Sequence, residues 1–337
     1  AGRQRSRSKE LNLFDDRQTG LKAVVAIDDG RLGPAMGGCL YLPDADDESA
    51  RTDAIALAQG MSYKAALAGL PLGGGKAVVM RNPHVENRAA LFQALGRFID
   101  TLQGRFVVAV DSGTSTLDMD CIAQGTPHVT STTACGDPSP HAALGVFAGL
   151  RATSYARLGS YNLDGLRVAI QGLGNVGYAL AEQLHAAGAE LLVSDLDPGR
   201  VRLAVEQLDA HPVAHDALAS TPCDIFAPCA VGPVLNGHSV MQLRCAAVAG
   251  AANNQLTNLQ VADQLEARGI LYAPDYVINA GGLIHVALTH AGESSAAIAA
   301  HIARIPARLT EVFGHAQAEK RSPARVAQTL AERLLYT

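Results

Sequence analysis

The segment from Arg167 to Asp195 constrains the fold more than any other part of the chain. An apolar strand pattern runs directly into Gly172-Leu173-Gly174-Asn175-Val176-Gly177, and a helical pattern follows as far as Ala187. A second apolar stretch then ends at Asp195. A strand, a GxGxxG turn, a helix and a second strand that ends in an acid together form a dinucleotide-binding βαβ unit. The chain is therefore predicted to be an α/β protein with a doubly wound domain of the Rossmann type.

Each part of this unit has a physical role in binding a dinucleotide. Gly172 permits the tight turn, Gly174 lets the backbone approach the pyrophosphate, and Gly177 lets the helix pack closely on the strand. The helix N-terminus offers N–H groups and the positive end of a dipole to the phosphates. Asp195 is placed to accept hydrogen bonds from the adenosine ribose and to repel a 2′-phosphate, which favours NAD over NADP. Arg200 is close enough in the sequence to reach a phosphate, so NADP stays open.

The bulk composition excludes several other classes of protein. The 337 residues are 48% hydrophobic and 18% charged, which predicts a folded chain of about two domains. The net charge of −5 argues against nucleic acid as a partner, and no apolar run is long enough to span a membrane. Six scattered cysteines form no CxxC pair and match no zinc pattern, so we expect no metal site and a reduced, cytoplasmic protein.

The hydrophobic pattern predicts a second α/β domain ahead of the dinucleotide site. Strands are predicted at 21–27, 77–80 and 105–110, and helices at 47–69 and 88–102. Composition changes around Gly136–Pro140, where we place the domain boundary. We expect an N-terminal α/β domain for substrate binding and oligomerisation at 1–140, joined by a C-terminal helix at about 318–337. The NAD-binding domain is predicted at 141–317, with one helix over 295–317 and a deep cleft between the domains.

Two lysines in this first domain stand among small and apolar residues. Lys64 lies in Gly60-Met61-Ser62-Tyr63-Lys64, and Lys76 follows three glycines at 73–75. Burying a lysine costs several kcal/mol unless the charge is paired or neutralised, so residues of this kind are often functional. Asp111 follows a predicted strand, at the end where open α/β sheets usually bind ligands. The alternative is that the lysines form surface ion pairs and that Asp111 caps a loop.

Several motifs in order resemble the amino-acid dehydrogenases of the leucine, valine and phenylalanine group, which are relatives of glutamate dehydrogenase. They extend over nearly the whole chain, which makes the resemblance more specific than any one motif. The remaining motifs that carry it are Leu32-Gly33-Pro34-Ala35-Met36-Gly37-Gly38, Gly73-Gly74-Gly75-Lys76-Ala77-Val78, Asp111-Ser112-Gly113-Thr114, Ala249-Gly250-Ala251-Ala252-Asn253-Asn254-Gln255-Leu256 and Tyr272-Ala273-Pro274-Asp275-Tyr276-Val277-Ile278-Asn279-Ala280-Gly281-Gly282.

The resemblance implies a role for each candidate residue in the reversible, NAD-dependent oxidative deamination of an amino acid to a 2-oxo acid and ammonium. Lys64 would bind the substrate α-carboxylate, Lys76 would be the general base, and Asp111 would take up the proton of the amino group. Asn279 would orient the substrate or the nicotinamide. The implied cofactor contacts are Gly172, Leu173, Gly174, Asn175, Val176, Gly177, Asp195, Ala230 and Asn253. A homo-oligomer, either a dimer or an octamer, is also implied.

The implied side-chain pocket favours a branched-chain amino acid. Related glutamate dehydrogenases carry a lysine for the γ-carboxylate where this chain has Met36, and a thioether offers a carboxylate no partner. The family pattern adds Ala109, Leu283 and Val286 to the pocket, and Gly37 and Gly38 to the substrate-binding residues. Leucine, valine and isoleucine are therefore the expected substrates. Phenylalanine or tryptophan stays open, because small differences in pocket volume discriminate weakly.

Three positions differ from the pattern that the family leads us to expect. They are Leu40, where relatives commonly have arginine, Ala142, where they commonly have threonine, and Pro233, which replaces a glycine. None of them removes a catalytic group. They leave open a third interpretation, an NAD-binding relative that has lost turnover.

Overall fold

The computed structural model describes residues 9–43, 46–81, 83–230 and 234–336. Contacts within the chain divide it into two compact units. The first unit consists of Ala1–Asp137, Val286–Glu293 and Ala331–Thr337, and the second of Pro138–His285 and Ser294–Leu330. The domain limits given above and the cleft between the domains stay predictions. Pro233 lies outside the described residues.

The first unit is built on a mixed β-sheet with the strand order β1-β2-β4-β3-β5. Antiparallel pairs join β1 to β2 and β2 to β4, whereas β3 is parallel to both β4 and β5. The elements are β1 (Glu10–Asp16), β2 (Leu21–Asp29), β3 (Ala35–Pro43), α1 (Asp47–Leu67), β4 (Gly73–Arg81), α2 (Arg88–Asp100), β5 (Phe106–Val110) and α3 (Thr116–Ala123). The sequence pattern missed β1 and β3, because β1 has a polar, half-exposed edge and β3 is interrupted by Gly37 and Gly38.

The two faces of this sheet pack against different helices. On one face, the α2 residues Leu91, Phe92 and Leu95 share a buried cluster with Ala77 and Val79 of β4 and with Phe106 and Val108 of β5. On the other face, three alanines of α1, Ala50, Ala54 and Ala58, pack on Val78 and Met80 of β4. Side chains alternate between the faces of a strand, so Lys76 lies on the α1 face with Val78. The small alanine side chains let α1 lie close to the sheet.

The second unit is built on a parallel sheet with the strand order β11-β10-β9-β6-β7-β8. Every pairing in this sheet, within the described residues, is parallel. The strands are β6 (Arg167–Gln171), β7 (Glu190–Ser194), β8 (His211–Pro212), β9 (Ile225–Pro228), β10 (Ala247–Val248) and β11 (Leu271–Tyr272). Read from β8, the six strands have the order 3-2-1-4-5-6 when they are numbered along this unit, as in dinucleotide-binding domains. The predicted fold class, α/β with a doubly wound second domain, is confirmed.

The helices of the second unit include the one predicted to follow the glycine turn, and the prediction for 295–317 needs a correction. They are α4 (Ser139–Leu158), α5 (Asn175–Ala186), α6 (Pro198–Leu208), α7 (Gly237–Gln242), α8 (Leu259–Ala267), α9 (Asp275–Ile278), α10 (Gly281–His290), α11 (Ser295–Ile302), α12 (Ile305–Glu319) and α13 (Pro323–Tyr336), of which α10 and α13 extend into the first unit. The prediction of a single helix over 295–317 is wrong, because the helical structure is interrupted between α11 and α12. Pro306 lies in the first turn of α12, where a missing N–H is tolerated, but it would have disrupted a continuous helix. None of the described helices is long and apolar enough to cross a membrane.

Candidate active site

Lys76 and Asp111 form a direct ion pair in the first unit. Lys76 extends from β4 with only 8% of its side chain exposed, and Asp111 directly follows β5. The Nζ atom of Lys76 donates a hydrogen bond to Oδ2 of Asp111. Because β3 lies between β4 and β5, the two side chains meet over β3. The sequence predicted both residues, and the fold brings a nearly buried ammonium group and a carboxylate into contact.

Gly38 provides the space in which this ion pair forms. It lies in β3 opposite Ala109 of β5, and a Cβ atom placed on it would lie 2.2 Å from Asp111 Oδ2. At Gly37, a Cβ atom would lie 1.7 Å from the carbonyl oxygen of Gly75, so this position also excludes any side chain. The two glycines that were predicted to bind substrate therefore have a structural role beneath the Lys76–Asp111 pair.

We expect the substitution Gly38→Ala to lower kcat about 100-fold, since errors of about 1 Å in the position of a reacting group can have this effect. The new methyl group would also lie 2.6 Å from Cβ of Asp111, so the carboxylate must move away from Lys76. Steady-state kinetics would measure the loss.

Gly60→Ala is the matched control, because Gly60 is exposed in α1 and a methyl group there would meet no described atom within 4 Å. This control should keep full activity and gain about 0.5–1 kcal/mol of stability. Normal kcat in Gly38→Ala would contradict the assignment of Asp111.

The loop after β5 fixes the orientation of the Asp111 carboxylate. Its Oδ1 atom accepts a hydrogen bond from the backbone N–H of Ser112 (2.7 Å), which leaves Oδ2 directed at Lys76. The backbone N–H of Asp111 donates to Oγ1 of Thr114 (3.0 Å), and that hydroxyl lies 2.9 Å from the carbonyl oxygen of Cys39. Burial and then the nearby Asp111 carboxylate raise the pKa of the Cys39 thiol, so this group stays neutral beneath the pair. Sequence analysis did not assign a role to Thr114, although it belongs to the Asp-Ser-Gly-Thr motif.

Lys64 lies in the last turn of α1, and the segment of the helix just before it packs against the glycines that precede Lys76. The buried hydroxyl of Ser62 accepts a hydrogen bond from the backbone N–H of Gly74 (3.1 Å). A Cβ atom on Gly74 would lie 2.1 Å from the backbone nitrogen of Ser62, so only glycine lets the helix approach this strand. Lys64 follows Ser62 by two residues and is half-buried. The helix end that carries Lys64 is thus held against the start of β4.

The four residues predicted to form the side-chain pocket do not all belong to the same unit. Met36 of β3 is 2% exposed and Ala109 of β5 is 9% exposed. The alternation of side chains puts both on the α1 face of the sheet, which is also the face of Lys76. Val286 belongs to the first unit and Leu283 to the second, and both are half-buried in α10.

The glycine turn of the second unit has the geometry that a dinucleotide site requires. Gly172 adopts a left-handed conformation (φ +98°), and a Cβ atom on it would lie 2.8 Å from the backbone nitrogen of Ala230. A Cβ on Gly177 would lie 2.1 Å from the carbonyl oxygen of Gly172, so α5 packs directly on the turn. Gly174 is the N-cap of α5, and a Cβ on it would have no described atom within 4 Å. Leu173 and Gly174 directly precede Asn175 and Val176, which begin α5. Open space at the N-terminus of a helix suits a pyrophosphate group.

Asp195 holds the glycine turn at the end of β7. Its Oδ2 atom accepts a hydrogen bond from the backbone N–H of Leu173 (2.6 Å), and Oδ1 accepts one from that of Asp197 (2.8 Å). The guanidinium group of Arg200 lies 3.8 Å from Asp195 and 3.6 Å from Asp197. The negative charge of Asp195 thus lies beside the open end of α5, where a ribose follows the pyrophosphate in bound dinucleotides.

Asn279 has a buried amide oxygen within the second unit. Its Nδ2 atom donates to Oδ1 of Asn253 (2.9 Å) and lies 3.2 Å from the carbonyl oxygens of Ala251 and Ala252. Its Oδ1 atom is buried and has no hydrogen-bond partner among the described residues. A buried acceptor of this kind is costly unless a ligand donates to it, and an amide or ammonium N–H would do so. This orphan oxygen and the open space at Gly174 both fit bound NAD.

Gln255 supports the loop that leads to Asn253, and sequence analysis did not assign it a role. It is completely buried, and its Nε2 atom donates to the carbonyl oxygens of Gly250 and Ala252 (both 3.0 Å). Its backbone N–H donates to Oδ2 of Asp275 (2.9 Å). The only sequence signal was its place within the Ala249–Leu256 motif, since a polar side chain gives no hint of the backbone atoms it will bind.

Comparison with known proteins identifies close relatives of this chain. Family models described as the Glu/Leu/Phe/Val dehydrogenase dimerisation domain and as Glutamate/Leucine/Phenylalanine/Valine dehydrogenase match residues 8–128 and 199–312, respectively. The chain is 46% identical over 283 residues to leucine dehydrogenase of Bacillus subtilis (strain 168), which covers 83% of this chain and 78% of that protein. It is 47% identical over 269 residues to L-tryptophan dehydrogenase of Nostoc punctiforme, which covers 79% and 76%. The crystal structure of that tryptophan dehydrogenase matches with a TM-score of 0.86 at 40% identity, over 97% of this chain and 95% of that chain.

Proposed function

The chain belongs to the glutamate, leucine, phenylalanine and valine dehydrogenase family, and we propose that it oxidises branched-chain L-amino acids, with leucine as the main substrate. It is an amino-acid dehydrogenase, and its cofactor is NAD. The reaction converts an amino acid, NAD and water into a 2-oxo acid, ammonium and NADH, with release of a proton. The observation that carries the proposal is the Lys76–Asp111 ion pair on the same sheet face as Met36 and Ala109.

The proposed roles of the residues follow from their charge and position. The Lys64 ammonium group binds the substrate carboxylate by a charge-assisted hydrogen bond. Asp111 accepts a proton from the substrate amino group, so that a lone pair is available when the α-hydrogen leaves as hydride. Lys76 acts as the base in its neutral amine form, after its ammonium proton has been released to solvent. It removes a proton from the water that attacks the imine carbon, and Asp111 returns its proton to the departing ammonia. When bound, NAD supplies the hydride acceptor, and Asn279 orients it or the substrate.

The apolar character of the pocket supports an aliphatic substrate. Met36 and Ala109 offer no charge or hydrogen-bond donor to a side chain, and both are nearly buried. A γ-carboxylate placed against them would lose its hydration without a partner, which costs several kcal/mol. Glutamate is therefore excluded much more strongly than one aliphatic residue is distinguished from another.

An aromatic amino acid is the second candidate substrate. The relative from Nostoc punctiforme is a tryptophan dehydrogenase that is 47% identical to this chain over 269 residues, whereas the leucine dehydrogenase of Bacillus subtilis is 46% identical over 283 residues. A methionine in the pocket can adjust to a larger ring, since its side chain is flexible and unbranched. The chemistry at Lys76 and Asp111 would be the same for either substrate.

A substrate panel tests the proposal and separates the two candidates. NADH formation would be followed at mildly alkaline pH with leucine, valine, isoleucine, phenylalanine, tryptophan and glutamate, first with NAD and then with NADP. We expect kcat/KM to be highest for the aliphatic set and to fall at least about 100-fold for glutamate. A higher kcat/KM for phenylalanine or tryptophan would overturn the branched-chain assignment. Absence of turnover on all six, with NAD binding intact, would support the non-catalytic interpretation that Leu40 and Ala142 leave open.

We also propose that the protein is a cytoplasmic homo-oligomer. The family model over residues 8–128 describes a dimerisation domain, which supports assembly. All six cysteines are free thiols, as is usual in a reducing compartment. Light scattering coupled to gel filtration should give a dimer or an octamer of the 35.0 kDa chain. A mass of a single chain at micromolar concentration would contradict this assignment.

A further inference from the structure

The guanidinium group of Arg88 binds the loop that carries Asp111. Arg88 is the first residue of α2, and two of its nitrogens form parallel hydrogen bonds with the carboxylate of Asp118, Nε to Oδ1 and Nη2 to Oδ2 (both 2.8 Å). Nη2 also donates to the carbonyl oxygen of Gly113 (2.8 Å). The same group lies over the ring of Tyr41, 4.5 Å from its centre. A bidentate ion pair with a planar stacking surface fixes the guanidinium in one orientation.

Asp118 connects this ion pair to the other end of the loop. It is 5% exposed and lies in the first turn of α3, where Oδ2 accepts hydrogen bonds from the backbone N–H (2.7 Å) and hydroxyl (2.9 Å) of Ser115. Burial alone would raise the pKa of the Asp118 carboxyl, but hydrogen bonds from Arg88 and Ser115 outweigh it and leave the pKa below its ordinary value. Asp118 therefore stays ionised and tied to Arg88 at neutral pH.

The backbone between these contacts has little freedom to move. Gly113 adopts a left-handed conformation (φ +83°), and a Cβ on it would lie 2.3 Å from the carbonyl oxygen of Tyr41. Thr114 holds the N–H of Asp111 through its hydroxyl, as described above. Only Ser112 separates Asp111 from Gly113, whose carbonyl oxygen Arg88 binds. A shift of the Arg88 side chain would thus move Gly113. Through the single intervening residue, Ser112, it would also displace the Asp111 carboxylate that contacts Lys76.

We propose that Arg88 is a positioning residue that holds Asp111 in hydrogen-bonding distance of Lys76. This inference rests on the proposed function, in which Asp111 and Lys76 exchange protons with substrate and water. Arg88 touches neither of them and acts through the loop at 112–115. Its side chain is 45% exposed, so part of its pairing energy with Asp118 is screened by solvent, whereas its geometric effect on Gly113 is not.

The first experiment compares Arg88→Gln, Arg88→Lys and the control Arg97→Ala, which changes an exposed arginine of the same helix. We expect Arg88→Gln to lower kcat about 10- to 100-fold while KM for NAD changes by less than about twofold, because the second unit is untouched. Arg88→Lys keeps the charge beside Asp118 and should restore part of the loss. Arg97→Ala should match the unaltered enzyme. Unchanged kcat in Arg88→Gln would overturn the proposal.

A double-mutant cycle with Asp111→Asn separates positioning from a general effect on folding. If Arg88 acts through Asp111, Arg88→Gln should lower kcat by less than about threefold once Asp111 is already asparagine. If the kcat losses of Arg88→Gln and Asp111→Asn instead multiply in the double variant, the proposal is overturned. Arg88→Lys in the same cycle serves if Arg88→Gln does not fold. Absence of turnover in the unaltered enzyme would instead overturn the proposed function, so the two failures are distinguishable.

Discussion

Replacement of Lys76 by alanine should reduce kcat for leucine by about 10³-fold or more, since a positioned general base contributes about 10²- to 10⁴-fold. The substitution removes the ammonium group that donates to Asp111, and with it the base that is proposed to activate water. Asp111 keeps its hydrogen bond from the Ser112 N–H, and 28% of its side chain is exposed to solvent. The folded state should therefore survive, and calorimetry should give an unchanged affinity for NAD.

Lys22→Ala is the control for the loss of a lysine. Lys22 forms an ion pair with Asp47 (2.7 Å) in which both side chains are about half exposed. Surface pairs of this kind contribute about 0–1 kcal/mol, so both stability and kcat should stay near their original values. If Lys76→Ala retained more than a tenth of the original kcat, Lys76 would not be the base.

Gly174→Ala should abolish tight NAD binding without destabilising the protein. The added methyl group would meet no described atom within 4 Å, and Gly174 has φ −66° and ψ −172°, which alanine adopts readily. The free energy of unfolding should thus stay within about 0.5 kcal/mol of the original value. The methyl group would occupy the space where the backbone approaches the pyrophosphate. We expect the Kd for NAD to rise about 100-fold, a cost of about 2.7 kcal/mol.

Calorimetry and thermal unfolding of the same samples would separate these two effects. Gly314→Ala is the matched control, since Gly314 is exposed in α12 of the same unit and a methyl group there would also meet no described atom within 4 Å. It should bind NAD normally and unfold at a slightly higher temperature. An unchanged Kd in Gly174→Ala would mean that the pyrophosphate does not lie at this turn.

The sequence predicted the second unit more completely than the first, for a physical reason. A buried parallel strand, a glycine turn and a helix leave a local signal, and strands that alternate with helices indicate a parallel sheet with right-handed crossovers. In the first unit, β3 carries Gly37 and Gly38, which are poor strand formers, so the pattern did not indicate a strand. These glycines are required because Gly75 and Asp111 approach them closely, and only the folded structure reveals that approach.

The candidate site was predicted by residue type but not by contact. Lys76 and Asp111 were recognised from their surroundings in the sequence, whereas their hydrogen bond depends on β3 lying between their strands. Thr114 belonged to a recognised motif but was assigned no role, and Arg88 had no recognisable signal. Arg88 reaches Gly113, which is 25 residues away in the sequence, by the packing of α2 against α3. Side-chain partners at such separation follow from tertiary structure, which periodicity does not specify.

The stoichiometry of a single reaction tests the central claim most directly. The purified protein would be incubated with L-leucine and NAD, and NADH, ammonium and 4-methyl-2-oxopentanoate would each be quantified over time. Oxidative deamination predicts that the three products appear in equal amounts and that all three form about 10³-fold more slowly in the Lys76→Ala variant. Formation of NADH without ammonium, or of none of the three products from leucine or any other amino acid of the panel, would contradict it.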